Sequence, residues 1–339
     1  MKIFLSDSPD ILVNFLTYLE TIKGKSEKTI DAYHSDLRTF FRFIKVHKGK
    51  IPPPENFMCS NKKNASECLK EIPVNDIDAE IIRSIVLDDL YAYLAYVGRV
   101  RENQARTRAR KVASLKSFFK YLCSRAKLID DNPARDLETP KIGKTLPRYL
   151  ELDDSVKLLK TVSESAENKN KARDYLIITL LLNCGLRISE LAGINRYHVR
   201  ENTITVTGKG NAERVIYLND ACREALADYL SVRPKSKDSD EPLLLSKNRM
   251  RLGVRSIQNI VKKYMILSDL DYTKYSAHKL RHTAATLMYS HGGVDIRILK
   301  EILGHKNIST TEIYTHINQE HLKNAVEKNP LSGIKSSGK

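Results

Sequence analysis

No apolar run in this sequence of 339 residues approaches the roughly 18 residues that a transmembrane helix needs. The first residues, MKIFLSDSPD, become acidic too early for a secretory signal. The five cysteines are dispersed without a CxxC pair. Cys59 and Cys68 could form a bridge or bind zinc, but no histidine lies near them. With no internal repeat either, these absences predict a soluble cytoplasmic protein with reduced thiols.

Positive charge exceeds negative charge in the composition. Lysine and arginine number 57 against 41 aspartates and glutamates, which gives a formal net charge of +16. A charge of this sign and size favours a polyanionic partner, and nucleic acid is the commonest one. Charge alone also fits a protein that is merely basic. The length allows two ordinary domains with a buried core.

Helical periodicity dominates residues 1–138, for which we predict one helical domain. Ser8, which precedes a proline, has the side chain of an N-cap, and Ser26 is the candidate N-cap of a second helix. Two further helices are predicted at about residues 87–97 and 103–126.

Residues 46–78 interrupt this helical pattern. They contain three consecutive prolines, a further proline and several asparagines, which predict an irregular loop. A loop of this length within a compact domain is either functional or mobile.

Cations cover one side of the helix predicted at 103–126, with almost no acid among them. Such a face is often only solvated, but the lack of acids favours contact with phosphates. The next segment, 139–150, reads TPKIGKTLPRYL and combines prolines, a glycine and cations, so we predict a basic interdomain linker. The residues predicted to bind DNA are Arg106, Arg108, Arg110, Lys111, Lys141, Lys144 and Arg148.

The second predicted domain, residues 151–329, is mostly helical. Its exception is 203–218, where TITVT and RVIYL flank GKGN and predict a β-hairpin with Lys209 in the turn. Helical patterns follow at about residues 220–232, 256–267, 277–291 and 296–303. The terminal residues 330–339 are rich in Gly, Ser and Lys and are predicted to be disordered. The predicted fold class is therefore mainly α, with one small hairpin.

The box GLRISE brings Arg187 and Glu190 together. Gly185 can end the preceding apolar helix, because glycine tolerates a positive φ. Arg187 would then begin a short helix, where its guanidinium and the free backbone N–H groups can bind an anion. Glu190 lies on the same face and could hold a neighbouring cation. Taken alone, the box is most simply an ordinary surface Arg–Glu pair.

Two further motifs carry cations. Lys209 could protonate a leaving 5′-hydroxyl as an ammonium, although most turn lysines have no such role. In HKLRH, His278 and Arg281 share one helix face. His278 and His282 also have the spacing of zinc ligands, but no Glu follows the first histidine and Arg281 would place a cation against the metal. A His–Arg pair on a phosphate fits better.

The last motifs supply a histidine and a phenol. Gly304 ends a helix in LGH and presents His305 just beyond it. Ser309 and Glu312 form a capping box, so Tyr314 lies in the second turn of the next helix. A free phenol has a pKa of roughly 10. Surrounding cations would stabilise its phenolate and the charge that develops on a phosphate.

Taken in order, these motifs resemble those of the tyrosine recombinase (phage integrase) family. The matching features are Arg187 with Glu190, Lys209 on a hairpin, HKLRH, LGH and then a tyrosine nine residues later. Each motif alone is a weak signal, but all five in this order are specific. The resemblance covers residues 151–329, and residues 1–135 resemble the SAM-like core-binding domain of the family. Its layout is closest to bacterial and archaeal Xer recombinases.

Two features depart from the family pattern. The loop at 46–78 is longer than in compact members. Ala212 stands where the family often has a basic residue just after the hairpin turn, which weakens one expected DNA contact but does not affect Lys209.

The resemblance implies a reaction. Tyr314 would attack a DNA phosphate and give a 3′-phosphotyrosyl bond and a free 5′-hydroxyl. Lys209 would be the general acid for the leaving oxygen, His278 an acid/base on the tyrosine side, and Glu190 a support for the cations. The residues implied to stabilise the pentacoordinate phosphorus are Arg187, Arg281 and His305. Neither ATP nor a metal is implied as a cofactor, because the phosphotyrosine retains the bond energy.

The resemblance also implies an assembly and a role. A homotetramer, or a hetero-tetramer with a paralogue, would join two double-stranded DNA sites with paired inverted half-sites and exchange strands through a Holliday junction. The compact layout favours Xer-type chromosome dimer resolution, hence chromosome partition, over integration or excision of a mobile element. A type IB topoisomerase-like enzyme and a non-catalytic DNA-binding protein are further alternatives. The basic N-terminal domain argues against the first and the complete set of polar residues against the second.

Overall fold

The computed structural model describes residues 7–55, 57, 69–141, 143, 148–165, 169–208 and 212–304. Cys59, Cys68 and the predicted disordered tail at 330–339 lie outside these residues. The chain divides into two compact units, Met1–Lys144 and Thr145–Lys339. Within the described part of the chain, no helix combines the length and apolarity that a membrane crossing requires.

The N-terminal unit consists of helices around an aromatic core. Phe15 packs edge-on against Phe118 with ring centroids 5.3 Å apart, and Phe40 packs likewise against Tyr93 at 5.2 Å. Each long helix buries one face because its apolar residues recur at helical spacing. The helices are α1 (Asp10–Thr21), α2 (Glu27–His47), α3 (Ala79–Arg83), α4 (Leu87–Arg99) and α5 (Ala105–Ser124).

Two predicted boundaries in this unit are wrong. Pro9, not Ser8, occupies the N-cap position of α1, and the Ser8 hydroxyl is instead hydrogen-bonded to Nε2 of His34 at 2.8 Å. Helix α2 continues through His47, past the predicted start of the loop at residue 46. It continues because Val46 is buried in the core and prolongs the apolar face of the helix.

The described part of the predicted loop is packed onto the helices. The Phe57 ring stacks on Tyr96 with centroids 4.9 Å apart. Lys45 Nζ donates to the carbonyl of Pro73 at 2.9 Å and to both carboxylate oxygens of Asp76 at 2.7 and 2.8 Å. An aromatic side chain and a buried ammonium therefore hold this segment against α2 and α4.

A buried ion pair joins α2 to α5. Asp36 is 2% exposed and accepts a hydrogen bond from Lys111 Nζ at 2.8 Å and another from Arg110. Lys111 is itself only 5% exposed. This burial contradicts the prediction that Lys111 contacts DNA. A lysine is buried only when its charge has a partner, and here that partner is Asp36.

The C-terminal unit surrounds one apolar helix. Leu176, Ile177, Leu180 and Leu181 of this helix, α7, are all fully buried, as expected for a helix that is apolar on every side. The helices of this unit are α6 (Leu152–Ser163), α7 (Lys171–Cys184), α8 (Ile188–Gly193), α9 (Asp220–Val232), α10 (Val254–Leu267), α11 (Ala277–Ser290) and α12 (Ile296–Leu303). Helix α7 packs against α6, α9 and α11.

The predicted hairpin is present in this unit. Strands β1 (Thr203–Thr207) and β2 (Glu213–Tyr217) pair antiparallel, with Val206 opposite Arg214 and Ile204 opposite Ile216. Ile204, Val206 and Ile216 are buried, so this face of the hairpin packs on the unit. Arg214 belongs to the same face.

Asp36→Asn is expected to lower the free energy of unfolding by about 3–5 kcal/mol, because the buried Lys111 ammonium loses its counter-charge. Urea unfolding followed by circular dichroism measures this change, since the chain contains no tryptophan. The matched control is Asp131→Asn, which breaks an exposed pair with Arg135 at 2.6 Å and should cost about 0–1 kcal/mol. Equal losses in the two variants would contradict the structural role of Asp36.

Candidate active site

Arg187 and Glu190 are joined at the start of α8. Gly185 ends α7 in the left-handed conformation, with a φ of +59°. Arg187 then occupies the N-cap position, and its backbone N–H donates to Glu190 Oε2 at 2.8 Å, as in a capping box. Its Nη1 donates to Glu190 Oε1 at 2.6 Å. The prediction that Arg187 begins a short helix is confirmed, and burial of Glu190 distinguishes the pair from a surface pair.

Arg281 lies on α11 and binds the ends of two other helices. It is 3% exposed. Its Nη1 donates to the carbonyl of Gly185 at 2.6 Å and its Nη2 to the carbonyl of Leu303 at 2.5 Å. These carbonyls belong to the carboxyl ends of α7 and α12, where the helix dipole favours a cation. The acceptors are neutral, so Arg281 is held without being neutralised by them.

The Glu190 carboxylate lies among three guanidinium groups. Arg214 of β2 donates to it twice, from Nη1 to Oε1 at 2.6 Å and from Nη2 to Oε2 at 2.8 Å. With the two hydrogen bonds from Arg187, the carboxylate accepts four, which is about its full capacity. Arg281 Nη1 lies 3.9 Å from Oε2.

These hydrogen bonds determine the ionisation of Glu190. Burial alone would raise the pKa of this carboxyl group. The hydrogen bonds from Arg214 and from the backbone and side chain of Arg187 outweigh burial and hold the pKa below its ordinary value. Glu190 is therefore an anion at neutral pH.

His278 is exposed at the start of α11, one turn before Arg281. Its ring lies perpendicular to that of His282, with centroids 4.9 Å apart. Partial desolvation lowers the pKa of His278, and the positive charges of Arg281, Lys279 and Arg187 lower it further. A neutral imidazole beside these cations can accept a proton.

Two glycines lie against the cluster. A Cβ built on Gly208 would be 3.7 Å from Glu190 Oε1, and the carbonyl of Gly304 accepts from Arg187 Nη2 at 3.2 Å. In the sequence, Lys209 follows Gly208 and His305 follows Gly304. Three of the predicted catalytic residues, Lys209, His305 and Tyr314, lie outside the described residues, as does the predicted Ser309–Glu312 capping box.

The other predicted DNA-binding cations differ in their surroundings. Arg106 and the linker residues Lys141 and Arg148 are exposed. Arg108 is half-buried, with its guanidinium against Gly98, and Arg110 pairs with Asp36. Lys144 lies outside the described residues. Exposed cations therefore remain on α5 and on both sides of the unit boundary.

Arg214 is a member of the cluster that no sequence motif indicated. A signal was available in the alternation of β2, because Arg214 and the apolar Ile216 share one strand face. A cation on the buried face of a strand requires an anion nearby. The spacing could not identify Glu190 as that anion, because the two residues lie 24 positions apart.

Comparison with known sequences gives the family. The pattern of the phage integrase family matches residues 148–321, which is just over half of the chain. The chain belongs to this family. It is also 50% identical to a tyrosine recombinase XerC from Caldanaerobacter subterraneus subsp. tengcongensis, over 96% of this chain and 88% of that protein. The predicted Xer-like tyrosine recombinase is therefore confirmed, and with it the enzyme class, which cleaves and rejoins DNA.

Solved structures show the same fold. A XerH recombinase in a post-cleavage complex with a palindromic difH substrate has a TM-score of 0.63 and 18% identity, over 95% of this chain and 99% of that one. A lambda integrase tetramer on a Holliday junction has a TM-score of 0.61 and 17% identity, over 88% and 77%. The predicted fold class, mainly helical with a small hairpin, is confirmed for this family member.

Glu190→Gln is expected to lower the free energy of unfolding at pH 7 by about 3 kcal/mol, because three guanidinium groups lose their anion. The pKa of Glu190 is lower in the folded state than in the unfolded state. The carboxylate therefore stabilises the fold at any pH above the unfolded-state pKa, and this contribution is lost as the pH falls through the folded-state pKa. Wild type and variant should therefore converge in stability below about pH 4.

Urea unfolding between pH 7 and pH 3 measures this convergence. Glu224→Gln, at an exposed position on α9, is the control and should leave the stability nearly unchanged throughout. A difference between wild type and Glu190→Gln that stays constant down to the lowest pH would contradict the ionisation described for Glu190.

Gly185→Ala is expected to destabilise the C-terminal unit by about 2–5 kcal/mol. Alanine would hold an unfavourable positive φ there, and its Cβ would lie 2.8 Å from Leu303 Cδ2, so the buried Leu303 side chain or its helix must shift. The control Gly293→Ala has a φ of +63° but meets no atom within 4 Å, and it should cost only about 1–2 kcal/mol. Thermal unfolding compares the two; equal costs would show that the contact with Leu303 is unimportant.

Proposed function

We propose that this recombinase cleaves DNA with Tyr314 as the nucleophile. The phenolate oxygen bonds to the scissile phosphorus while the bond from phosphorus to the 5′-oxygen breaks, which leaves a 3′-phosphotyrosyl link. Lys209 supplies the proton to the departing 5′-oxygen, which leaves as a free 5′-hydroxyl, and His278 receives the phenol proton. Reversal with the 5′-hydroxyl of another strand rejoins the DNA, so neither ATP nor a metal cofactor is used.

The observation that carries this proposal is the arrangement of Arg187 and Arg281. These cations come from two helices far apart in the sequence, and both lie against the same buried carboxylate, at 2.6 and 3.9 Å. Cations that are already fixed in place stabilise charge developing in a transition state without further reorganisation. The pair therefore suits the equatorial oxygens of a pentacoordinate phosphorus, with Glu190 as their support.

Chain order supports the remaining roles. Gly208 lies beside this cluster and Gly304 contacts it, and these glycines immediately precede Lys209 and His305 in the sequence. We propose that His305 joins Arg187 and Arg281 in stabilising the phosphorus. The lowered pKa of His278 suits it to accept a proton near neutral pH.

We also propose the domain roles. Residues 1–138 act as a core-binding domain on DNA, 139–150 as a basic linker, 151–329 as the catalytic domain and 330–339 as a disordered tail. The exposed cations Arg106, Lys141 and Arg148 support phosphate contact by the first two segments. Arg108, Arg110 and Lys144 remain candidates for the same contact.

The assembly we propose is a homotetramer on two double-stranded DNA sites, each with paired inverted half-sites, which exchanges strands through a Holliday junction. A hetero-tetramer with a paralogue fits equally. The tetramer of lambda integrase on such a junction has the same fold. Identity to a XerC recombinase over most of the chain supports Xer-type chromosome dimer resolution in the cytoplasm, and integration or excision of a mobile element is the second candidate role.

Tyr314→Phe is expected to abolish the covalent adduct with DNA, because the variant lacks the attacking oxygen, while DNA binding persists. The assay mixes the full chain with fragmented genomic DNA of the encoding organism and resolves protein–DNA adducts on a denaturing gel. Arg187→Gln and Arg281→Gln should each slow adduct formation on the order of 10²-fold or more. Excess EDTA should leave the wild-type reaction unchanged.

The control is Tyr217→Phe, which alters a tyrosine that is 81% exposed on β2 and should form adducts like the wild type. An adduct that survives Tyr314→Phe, or a strict requirement for a divalent metal, would refute the mechanism. Sequencing of the trapped DNA then decides the role: one chromosomal site near the replication terminus indicates dimer resolution, and the ends of a mobile element indicate integration.

A further inference from the structure

Arg214 holds an unusual place on the hairpin. It lies opposite Val206 on the strand face that also buries Ile216, and its side chain is only 17% exposed. Two hydrogen bonds to Glu190 satisfy its Nη1 and Nη2 groups. Its buried Nε has no hydrogen-bond partner among the described residues. The guanidinium is therefore turned inward onto a single carboxylate and not outward onto solvent.

The hydrogen bonds of Glu190 are shared equally between two arginines. Arg214 provides two through its guanidinium, and Arg187 provides one through its backbone and one through its side chain. Because Arg214 occupies half of the acceptor capacity, Arg187 commits a single side-chain donor to Glu190. Without Arg214 the buried carboxylate would draw further donors from Arg187 or Arg281, since an incompletely paired buried charge is costly.

Arg214 also packs against the end of α12. Gly304 ends this helix with a φ of +63°. A Cβ on Gly304 would lie 3.1 Å from both Cδ and Nη1 of Arg214 and 3.2 Å from its Cζ. The arginine therefore lies against Gly304, which precedes His305 in the sequence, and its own strand follows Lys209 in the sequence.

We infer that Arg214 is a positioning residue for strand cleavage, which acts through Glu190 to orient Arg187 and through Gly304 to fix the end of α12. It belongs to the hairpin and contacts α8 and the end of α12, and each of these three elements adjoins a proposed catalytic residue. This inference rests on the proposed function, because it assigns Arg214 a part in the same reaction. Its contribution falls on the cleavage step and not on the affinity for DNA.

The test uses the full chain and a nicked DNA duplex that carries the site recovered by adduct sequencing. Cleavage of this duplex releases a short strand. Arg214→Gln should slow single-turnover cleavage on the order of 10- to 100-fold, the usual effect of removing a partner that orients a reacting group. The dissociation constant, measured by gel shift in the Tyr314→Phe background, should change less than about threefold, since DNA affinity comes mainly from phosphate contacts elsewhere. Arg214→Lys keeps the charge but not the two-pronged geometry, so its rate should lie between those of wild type and Arg214→Gln.

Two further measurements separate positioning from mere folding. The acidic limb of the cleavage rate against pH should move to higher pH in Arg214→Gln, because Glu190 loses two hydrogen bonds that favour its ionised form. In a Glu190→Gln background, the added Arg214→Gln should slow cleavage by a smaller factor than it does alone, as expected for two residues that act as a unit. Circular dichroism confirms that each variant is folded at the assay temperature.

Arg251→Gln is the matched control. Arg251 is also a half-buried arginine in contact with α8, since its Nη1 donates to the carbonyl of Ala192 at 3.2 Å and its Nη2 to Asn195 at 2.7 Å, but it does not touch Glu190. It should cleave within about threefold of wild type, because the contacts of the cluster remain intact. If folded Arg214→Gln or Arg214→Lys cleaves as fast as Arg251→Gln, or if the pH profile does not move, the role of Arg214 is refuted while the recombinase mechanism stands. Absence of any wild-type adduct would instead refute the proposed function itself.

Discussion

The candidate active site depends on the hydrogen bonds and ion pairs that the buried carboxylate of Glu190 forms with arginines. Three guanidinium groups would repel one another in the absence of an anion, and the four hydrogen bonds that Glu190 accepts hold two of them in one place. Three arginines and one glutamate leave a net charge of +2 on these side chains. The site is therefore assembled and still attractive to a phosphodiester.

The ends of helices complete this arrangement. Arg281 is buried, yet its hydrogen bonds run to the carbonyls of Gly185 and Leu303, which carry only partial charge. A carboxylate in the same position would have cancelled the positive charge on which the proposed reaction relies. Gly185 and Gly304 adopt the left-handed conformation that ends α7 and α12. The helices end where the carbonyls of Gly185 and Leu303 accept from Arg281 and the carbonyl of Gly304 accepts from Arg187.

Charge has two different uses in the N-terminal unit. Asp36 accepts hydrogen bonds from Lys111 and Arg110 and so joins α2 to α5. Arg106 is exposed and is the kind of cation that can contact a phosphate. All three cations belong to one basic run in the sequence, but Lys111 is buried on Asp36, and Arg110, although its side chain is 44% exposed, pairs with the same carboxylate. The number of cations in a helix therefore overstates the number that can contact a phosphate.

Much of the local structure could be predicted from the sequence. Helices α9 and α12 begin and end at the predicted residues, the two strands of the predicted hairpin pair with each other, and Arg187 begins the predicted short helix. The errors occurred where a neighbour from another element decides the outcome. The Ser8 hydroxyl is hydrogen-bonded to His34 and does not cap α1. Lys111 donates a hydrogen bond to Asp36 and does not face solvent.

The sequence by itself determined the elements of this protein and its chemical groups, since helical periodicity, capping boxes and turn glycines act over a few residues. It also identified the family, because the order of the motifs along the chain can be recognised without knowing their positions in space. Only the tertiary structure decided which charges meet. Glu190 and Arg214 are 24 residues apart, and Arg281 and Gly185 are 96 apart. No local spacing rule reaches across such distances, so these contacts depend on how the helices and the hairpin pack.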